Sequence, residues 1–199
     1  MRQNPSADSK LLAIAAEHLR QHGPRGVTVV AVAQAAGMTH ANVYRYFPSK
    51  ADLIDAVAGE WLKELEVHLA EIADAPDPAD DKLERLIHAI ARAYRDCAEA
   101  APHVFDVYVG AVEESRGIAR RHRGRQLRLL ERVIEEGVNT HVFAPKNQAQ
   151  AMTFVSDAVQ RFVNPLMIRI DGRVPRHLME ERLATMLRVV LRALSAGTV

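Results

Sequence analysis

Between Thr28 and Lys50 the chain reads TVVAVAQAAGMTHANVYRYFPSK, a run whose polar and aromatic side chains could grip and read a nucleic-acid duplex. Asn42 can pair with an adenine edge, Arg45 can read guanine or hold a phosphate, and Val30 and Ala41 can pack on a thymine methyl. His40, beside Ala41, is a further candidate for a base edge. Thr28, Thr39, Tyr44, Tyr46 and Lys50 offer hydroxyls and an ammonium suited to phosphate oxygens, and the backbone N–H groups at two helix N-termini would add to them. That chemistry works only if the residues stand on one side of something firm.

The spacing provides the support. Thr28 is a good N-cap, and Val29, Val32, Ala33 and Ala36 then fall at i, i+3, i+4 and i+7, one face of a helix. Gly37 sits where a helix closes in the left-handed region, which glycine adopts without a Cβ penalty. Met38 follows as an apolar plug, Thr39 is a second N-cap, and Val43 and Phe47 share a face at i, i+4. Pro48 stops this second helix, and Ser49 caps a third from Lys50 onward. The side of the second helix opposite Val43 shows His40, Ala41, Asn42, Tyr44, Arg45 and Tyr46, and so suits a major groove.

This block resembles the helix-turn-helix of the tetracycline-repressor (TetR) family of bacterial transcriptional regulators. The family's opening threonine matches Thr28, its apolar-Ala pair Val32 and Ala33, and its Ala-Gly turn Ala36 and Gly37. The cap and small residue match Thr39 and Ala41, the apolar-Tyr pair Val43 and Tyr44, and the ending Tyr46, Phe47, Ser49 and Lys50. Val30 and His40 fall at positions that vary freely in the family, so the resemblance implies no operator sequence.

The resemblance implies an all-α chain. A three-helix DNA-binding domain over residues 1–55 would precede a helical ligand-binding and dimerisation domain over 56–199. It further implies a cytoplasmic homodimeric repressor, released from an inverted-repeat operator in double-stranded DNA by a small-molecule effector. By linkage, the effector need only bind better to a dimer whose reading heads are wrongly spaced. Half-sites would lie about 34 to 36 Å apart, or a multiple of that. An activator, or an architectural chromosome-binding protein of the same fold, is the alternative.

Composition agrees with a helical globular protein. The 199 residues are 48% hydrophobic and 26% charged, with a formal net charge of +1. Near-neutrality argues against a protein that coats DNA, since non-specific affinity comes from phosphate neutralisation. The charge is uneven, however: up to Lys50, the cations Arg2, Lys10, Arg20, Arg25, Arg45 and Lys50 face only Asp8 and Glu17, whereas Glu60 to Glu99 is rich in acid. The single cysteine, Cys97, excludes an intramolecular disulfide. No apolar stretch approaches the ~20 residues of a membrane span, and the start lacks a signal peptide's apolar run. No glycine-rich phosphate loop, H-E-x-x-H or nucleophile motif suggests an enzyme or a cofactor.

Along the chain, residues before Ser6 read as a loose arm. Ala7 to His22 reads as an amphipathic helix ended by Gly23, Pro24 and Gly26. His18 and His22, one turn apart, could share a metal ion, but no third ligand stands nearby and they read as surface histidines. A long helix from Ala51 to Ala73 leads into the loop DAPDPADD, with Asp81 and Glu84 offering a capping box. Helices follow to Ala100 and over His103 to Glu114. The arginines at 120, 121, 123, 125, 128 and 132 read as a solvated face pairing with acids, in preference to a second nucleic-acid site. Asn147 to Ile170 reads as a helix kinked at Asn164-Pro165, and Pro175 opens the last helix, which runs to Ser195.

Two further groups complete the expectations. Trp61, Tyr94, Cys97, Phe105, Tyr108, Phe154, Phe162 and Met167 are bulky or soft residues that could line an apolar ligand pocket. Met179, Leu183, Met186, Leu187, Val190 and Leu194 form one stripe of the last helix. Val189 and Leu191 widen that stripe beyond one core face, surplus that suits pairing with a second copy.

Overall fold

The computed structural model describes residues 6–199, so the N-terminal arm expected before Ser6 lies outside the described residues. The described residues form helices and no strand: α1 Ala7–Gly26, α2 Val29–Ala36, α3 His40–Tyr46, α4 Lys50–Asp74 and α5 Ala79–Ala100. They continue with α6 Pro102–Glu113, α7 Gly117–Asn139, α8 Gln148–Val163, α9 Pro165–Ile170 and α10 Arg176–Ser195. No helix among the described residues is long and apolar enough to cross a membrane.

The chain divides into two compact units, with α4, α5 and α7 contributing to both. The first, here the head, is built from residues up to Lys63 together with Asp96–Ala119. The second, the body, comprises Glu64–Arg95 and Arg120–Val199.

In the head, α1 packs on α2 and α6, and α2 on α3. Leu11, Ala15, Leu19, Val32, Ala33, Val43, Leu53 and Val57 form one buried apolar cluster with Val107 of α6. The three N-terminal helices therefore do not close their core alone. Fully burying each leucine or valine of the cluster contributes about 1.5 to 3 kcal/mol. α1 breaks where the sequence puts its end, at Gly23, whose φ of 66° and ψ of 177° are not helical. A Cβ there would also lie 3.2 Å from the His103 ring, a tight contact that adds to the strain a side chain would meet at that φ.

The body joins α8 to α9 and α10. Its interior holds Leu83, Tyr94, Ile134, Phe143, Val155, Leu187 and Leu194, but also charged groups. Lys82, only 4% exposed, donates to both carboxylate oxygens of Glu136 at 2.7 and 2.9 Å. The His122 ring donates from Nδ1 to Glu66 at 2.8 Å, and Arg125 holds the other oxygen of that carboxylate. Gln126 donates to the Tyr94 hydroxyl at 2.9 Å, which in turn donates to Nε2 of His122 at 3.0 Å, a chain that suits the neutral imidazole. Burial holds the His122 pKa below its ordinary 6.5; Glu66 opposes that, with its carboxylate shared by Arg125.

Two expectations change. The helix after the acidic loop starts at Ala79, so Asp81 and Glu84 do not form its capping box. Asp80 and Asp81 instead lie in its first turn, where the helix dipole favours them, and Asp81 pairs with Arg85 at 3.1 Å. The expected kink at Asn164-Pro165 is a full break: Asn164 is extended at φ −92°, ψ 119° and its side chain caps α9 by accepting from Leu166 N–H at 2.9 Å. Proline removes the N–H that would continue α8, and asparagine before it is pushed out of the helical region. On α7, Arg132 pairs with Asp74 at 2.7 Å and Arg125 with Glu66, the solvated face expected of that run.

Candidate nucleic-acid interface

The surface that α3 presents depends on how tightly its two ends and one side are held. Thr28 Oγ1 accepts from Ala31 N–H at 3.1 Å, and Thr39 Oγ1 accepts from Asn42 N–H at 3.3 Å, so both short helices begin with a side-chain cap. Between them Gly37 takes φ 69°, ψ 31°, while Met38 N–H reaches Ala33 O at 2.9 Å and Gly37 N–H reaches Gln34 O at 3.1 Å. These are the two bonds of a Schellman closure, which turns the chain and satisfies carbonyls left over at the end of α2. Met38 is half-buried against the head's core.

Val43 is fully buried and Phe47 is 9% exposed, which anchors α3 from one side. His40, Ala41, Asn42, Tyr44, Arg45 and Tyr46 are all exposed on the other, together with Thr28, Val30 and Thr39. The His40 and Tyr44 rings meet edge to face with centroids 4.8 Å apart, so Tyr44 is partly fixed by its neighbour one turn earlier. Lys50 is half-buried, and its ammonium donates to the Arg25 carbonyl at 3.2 Å. An ammonium has three donors, so that bond leaves Lys50 able to reach a phosphate as well.

A further residue was not legible as part of this assembly. Lys10 of α1 donates to the Ala36 carbonyl at 2.8 Å, placing a positive charge at the C-terminal end of α2. The two residues are far apart in sequence, and a lysine on an amphipathic helix carries no signal of such a contact.

Comparison with known proteins decides what this geometry belongs to. Residues 11–57 match the family described as bacterial regulatory proteins, tetR family, and residues 79–189 match the tetracyclin repressor-like C-terminal domain. The chain belongs to the TetR family. It is a DNA-binding transcriptional regulator, of a family and fold that are those of regulators and not of enzymes. This TetR-family chain is 27% identical over 175 residues to a nucleoid occlusion factor, SlmA, of Marinobacter nauticus, covering 84% of this chain and 89% of that protein. It is 33% identical over 114 residues to an uncharacterized helix-turn-helix regulator of Mycobacterium tuberculosis, covering 56% of this chain and 50% of that protein. Its fold is similar to Bacillus subtilis FadR in complex with stearoyl-CoA, with TM-score 0.63 and 16% identity over 94% of this chain and 97% of that one. PfmR of Thermus thermophilus gives TM-score 0.61 and 24% identity over 92% and 97% of the two chains.

The other sequence candidates fall in several places. Trp61 and Tyr108 meet edge to face with centroids 5.7 Å apart in the head, where Cys97 and Phe105 are buried. In the body, Tyr94 serves the His122 network and Phe154 and Met167 are half-buried. Phe162 lines a cleft formed with His88, Arg92, Arg95, Met179 and Leu183. The stripe assigned to pairing is buried within the single chain: Met179, Leu183, Leu187, Val190 and Leu194 are at most 4% exposed, and Met186 is half-buried. α10 packs on α8 through this side, because a helix buries its most continuous apolar stripe first. The apolar surface α10 leaves outside is Leu178, 38% exposed, and Val189, 56% exposed, the latter part of the surplus noted in the sequence.

Proposed function

We propose that this regulator is a homodimeric repressor released from an inverted-repeat operator by a small-molecule effector. The observation that carries the reading is α3 itself: a helix of seven residues, capped by Thr39 and pinned by Val43, with its polar and aromatic side wholly exposed. His40, Ala41, Asn42 and Val30 are assigned to base edges, Arg45 to a guanine edge or a phosphate, and Thr28, Thr39, Tyr44, Tyr46 and Lys50 to phosphates. One such head reads only a few base pairs, so pairing is needed for a specific site. Leu178 and Val189 on the outer side of α10 are the apolar surface offered for it. A regulator of this fold, FadR of Bacillus subtilis, forms a complex with stearoyl-CoA, which supports effector control of this one.

The test is selection of genomic fragments by the purified protein at moderate salt. Enrichment of a few inverted repeats beside promoters supports the repressor. Lys50→Ala should then weaken binding to all retained fragments and lower the salt slope by roughly 1. Asn42→Ala should relax preference at one base pair, and unchanged specificity would remove Asn42 from the base-reading set. A second reading, in which the protein marks the chromosome, is favoured by the similarity to a nucleoid occlusion factor. It requires specific sites scattered away from promoters. Retention of all fragments alike would sink both site-specific readings.

A further inference from the structure

The body contains a cleft between α5, α8, α9 and α10 whose unpaired polar groups are all of one kind. Arg95 projects into it while only 9% exposed. Its Nη2 has no hydrogen-bond partner, and its Nη1 reaches the Val174 carbonyl only at 3.5 Å, the outer limit of a hydrogen bond. Among the described residues, no carboxylate pairs with it. A guanidinium withdrawn from water without a counter-ion is costly, and interiors nearly always supply a partner. Two turns earlier on α5, His88 presents a buried Nδ1 that also lacks a partner. Its Nε2 is 3.9 Å from Glu84, too far for a hydrogen bond. Arg92 lines the same wall.

The opposite wall is apolar, from Phe162 and Met179, with one acid, Glu180. Glu180 is already engaged by Arg176 at 3.0 Å, so it does not neutralise Arg95. The missing partner is therefore an acceptor with negative charge, and the apolar wall asks for a hydrocarbon body attached to it. Inorganic phosphate would leave that wall unused.

We infer that this cleft is the effector site, and that it takes an organic monocarboxylic acid whose carboxylate pairs with Arg95 Nη2 and His88 while its apolar part lies against Phe162 and Met179. The inference rests on the effector-controlled reading above and names the ligand class for it. The cleft is part-open, with about 20 Å³ of space for water, room for about one molecule, so the ligand enters only by moving the walls apart. Met179 has the unbranched, adaptable side chain that lets such a wall yield. Filled and empty bodies therefore differ in the packing of α5 against α8 to α10, and a ligand that prefers the opened packing shifts the population toward it.

The experiment uses the full chain with octanoate and phenylacetate, against octanol and octylammonium as neutral and cationic counterparts. Calorimetric binding and the melting temperature are read for the wild type, Arg95→Met and Arg95→Lys. The acids should bind and raise the melting temperature, while octanol and octylammonium should not. Arg95→Met should bind the acids at least tenfold more weakly yet melt, without ligand, no lower than the wild type, because it removes an unpaired buried charge. Arg95→Lys keeps the charge without the fork and should fall between. Should Arg95→Met fail to fold, the Arg95→Lys loss and the octanol comparison still decide. Absence of acid binding, or equal binding of octanol, overturns the inference and leaves Arg95 satisfied by water alone. Release of a retained DNA fragment separates the two claims. Acids that bind through Arg95 without releasing DNA break the effector reading and keep the site. Acids that release DNA equally well from Arg95→Met break the site and keep the reading.

Discussion

The head and the body solve different problems, and their interiors differ accordingly. Among the described residues, every buried side chain of the head is apolar or aromatic apart from the Cys97 thiol, whereas the buried lysine, arginine, histidine and carboxylate side chains, Lys82, Arg95, His122 and Asp171, all lie in the body. A reading helix of two turns has little stability of its own, so it needs a rigid apolar platform that fixes each outward side chain. Under the effector control proposed above, a body that answers to a ligand would gain from interior groups whose pairing is incomplete, since these have something to win from a partner. Asp171 shows the paired form: Arg161 reaches one oxygen at 2.8 Å while the other has no partner. Arg95 shows the unpaired form.

This contrast can be broken or sharpened by substitution. The largest effect is expected at the Lys82–Glu136 pair. Glu136→Ala strands a buried ammonium and should cost about 2 to 3 kcal/mol in urea unfolding, below a fully enclosed pair because Glu136 is 37% exposed. Lys82→Met should cost far less, and equal losses would show that the pair itself stabilises the body. In the head, Val43→Ala leaves a cavity at a fully buried position and should cost about 2 kcal/mol, with a matching loss of amide protection in α2 and α3.

Acid should separate the two units next. The folded His122 pKa lies below 6.5, so below that pH the unfolded chain binds the proton that the folded body refuses. Stability is therefore complete above the unfolded value and falls as pH drops below it, by up to about 1.4 kcal/mol per unit for one histidine. His88, also lowered, by burial first and by Arg92 second, adds in the same direction. Exchange protection should fall in α7 and persist in α2 from pH 7 to 5.5, and His122→Gln should flatten the body's response. A uniform loss in both units would contradict the contrast.

Smaller effects belong to the head's local geometry. Gly37→Ala meets no neighbour within 4 Å, so its cost is the left-handed φ alone, about 1 kcal/mol in thermal unfolding. Gly37→Asn should cost less, as asparagine tolerates that region. Cys97, buried and with its thiol pKa pushed up to about 12, should resist iodoacetamide at pH 8 until the chain unfolds. Rapid labelling of the folded protein would show that the head opens locally.

The residues from Thr28 to Lys50 determine by themselves how that stretch folds. Threonine caps, a glycine able to take positive φ, and apolar residues one turn apart all act within about four positions, the range over which backbone geometry speaks directly. The exposed side of α3 was legible for the same reason, as was a disturbance at Asn164-Pro165, though read as a kink and not as the full break that Asn164 makes. Only the tertiary structure decided that Val107 completes the head's core, that Lys10 closes the end of α2, and that the stripe from Met179 to Leu194 is buried within the chain. It alone placed Arg95 beside Phe162 and Met179 with no carboxylate paired to it among the described residues. An arginine on an amphipathic helix looks solvated in sequence, because periodicity states which face a residue occupies and not what the rest of the chain lays over that face.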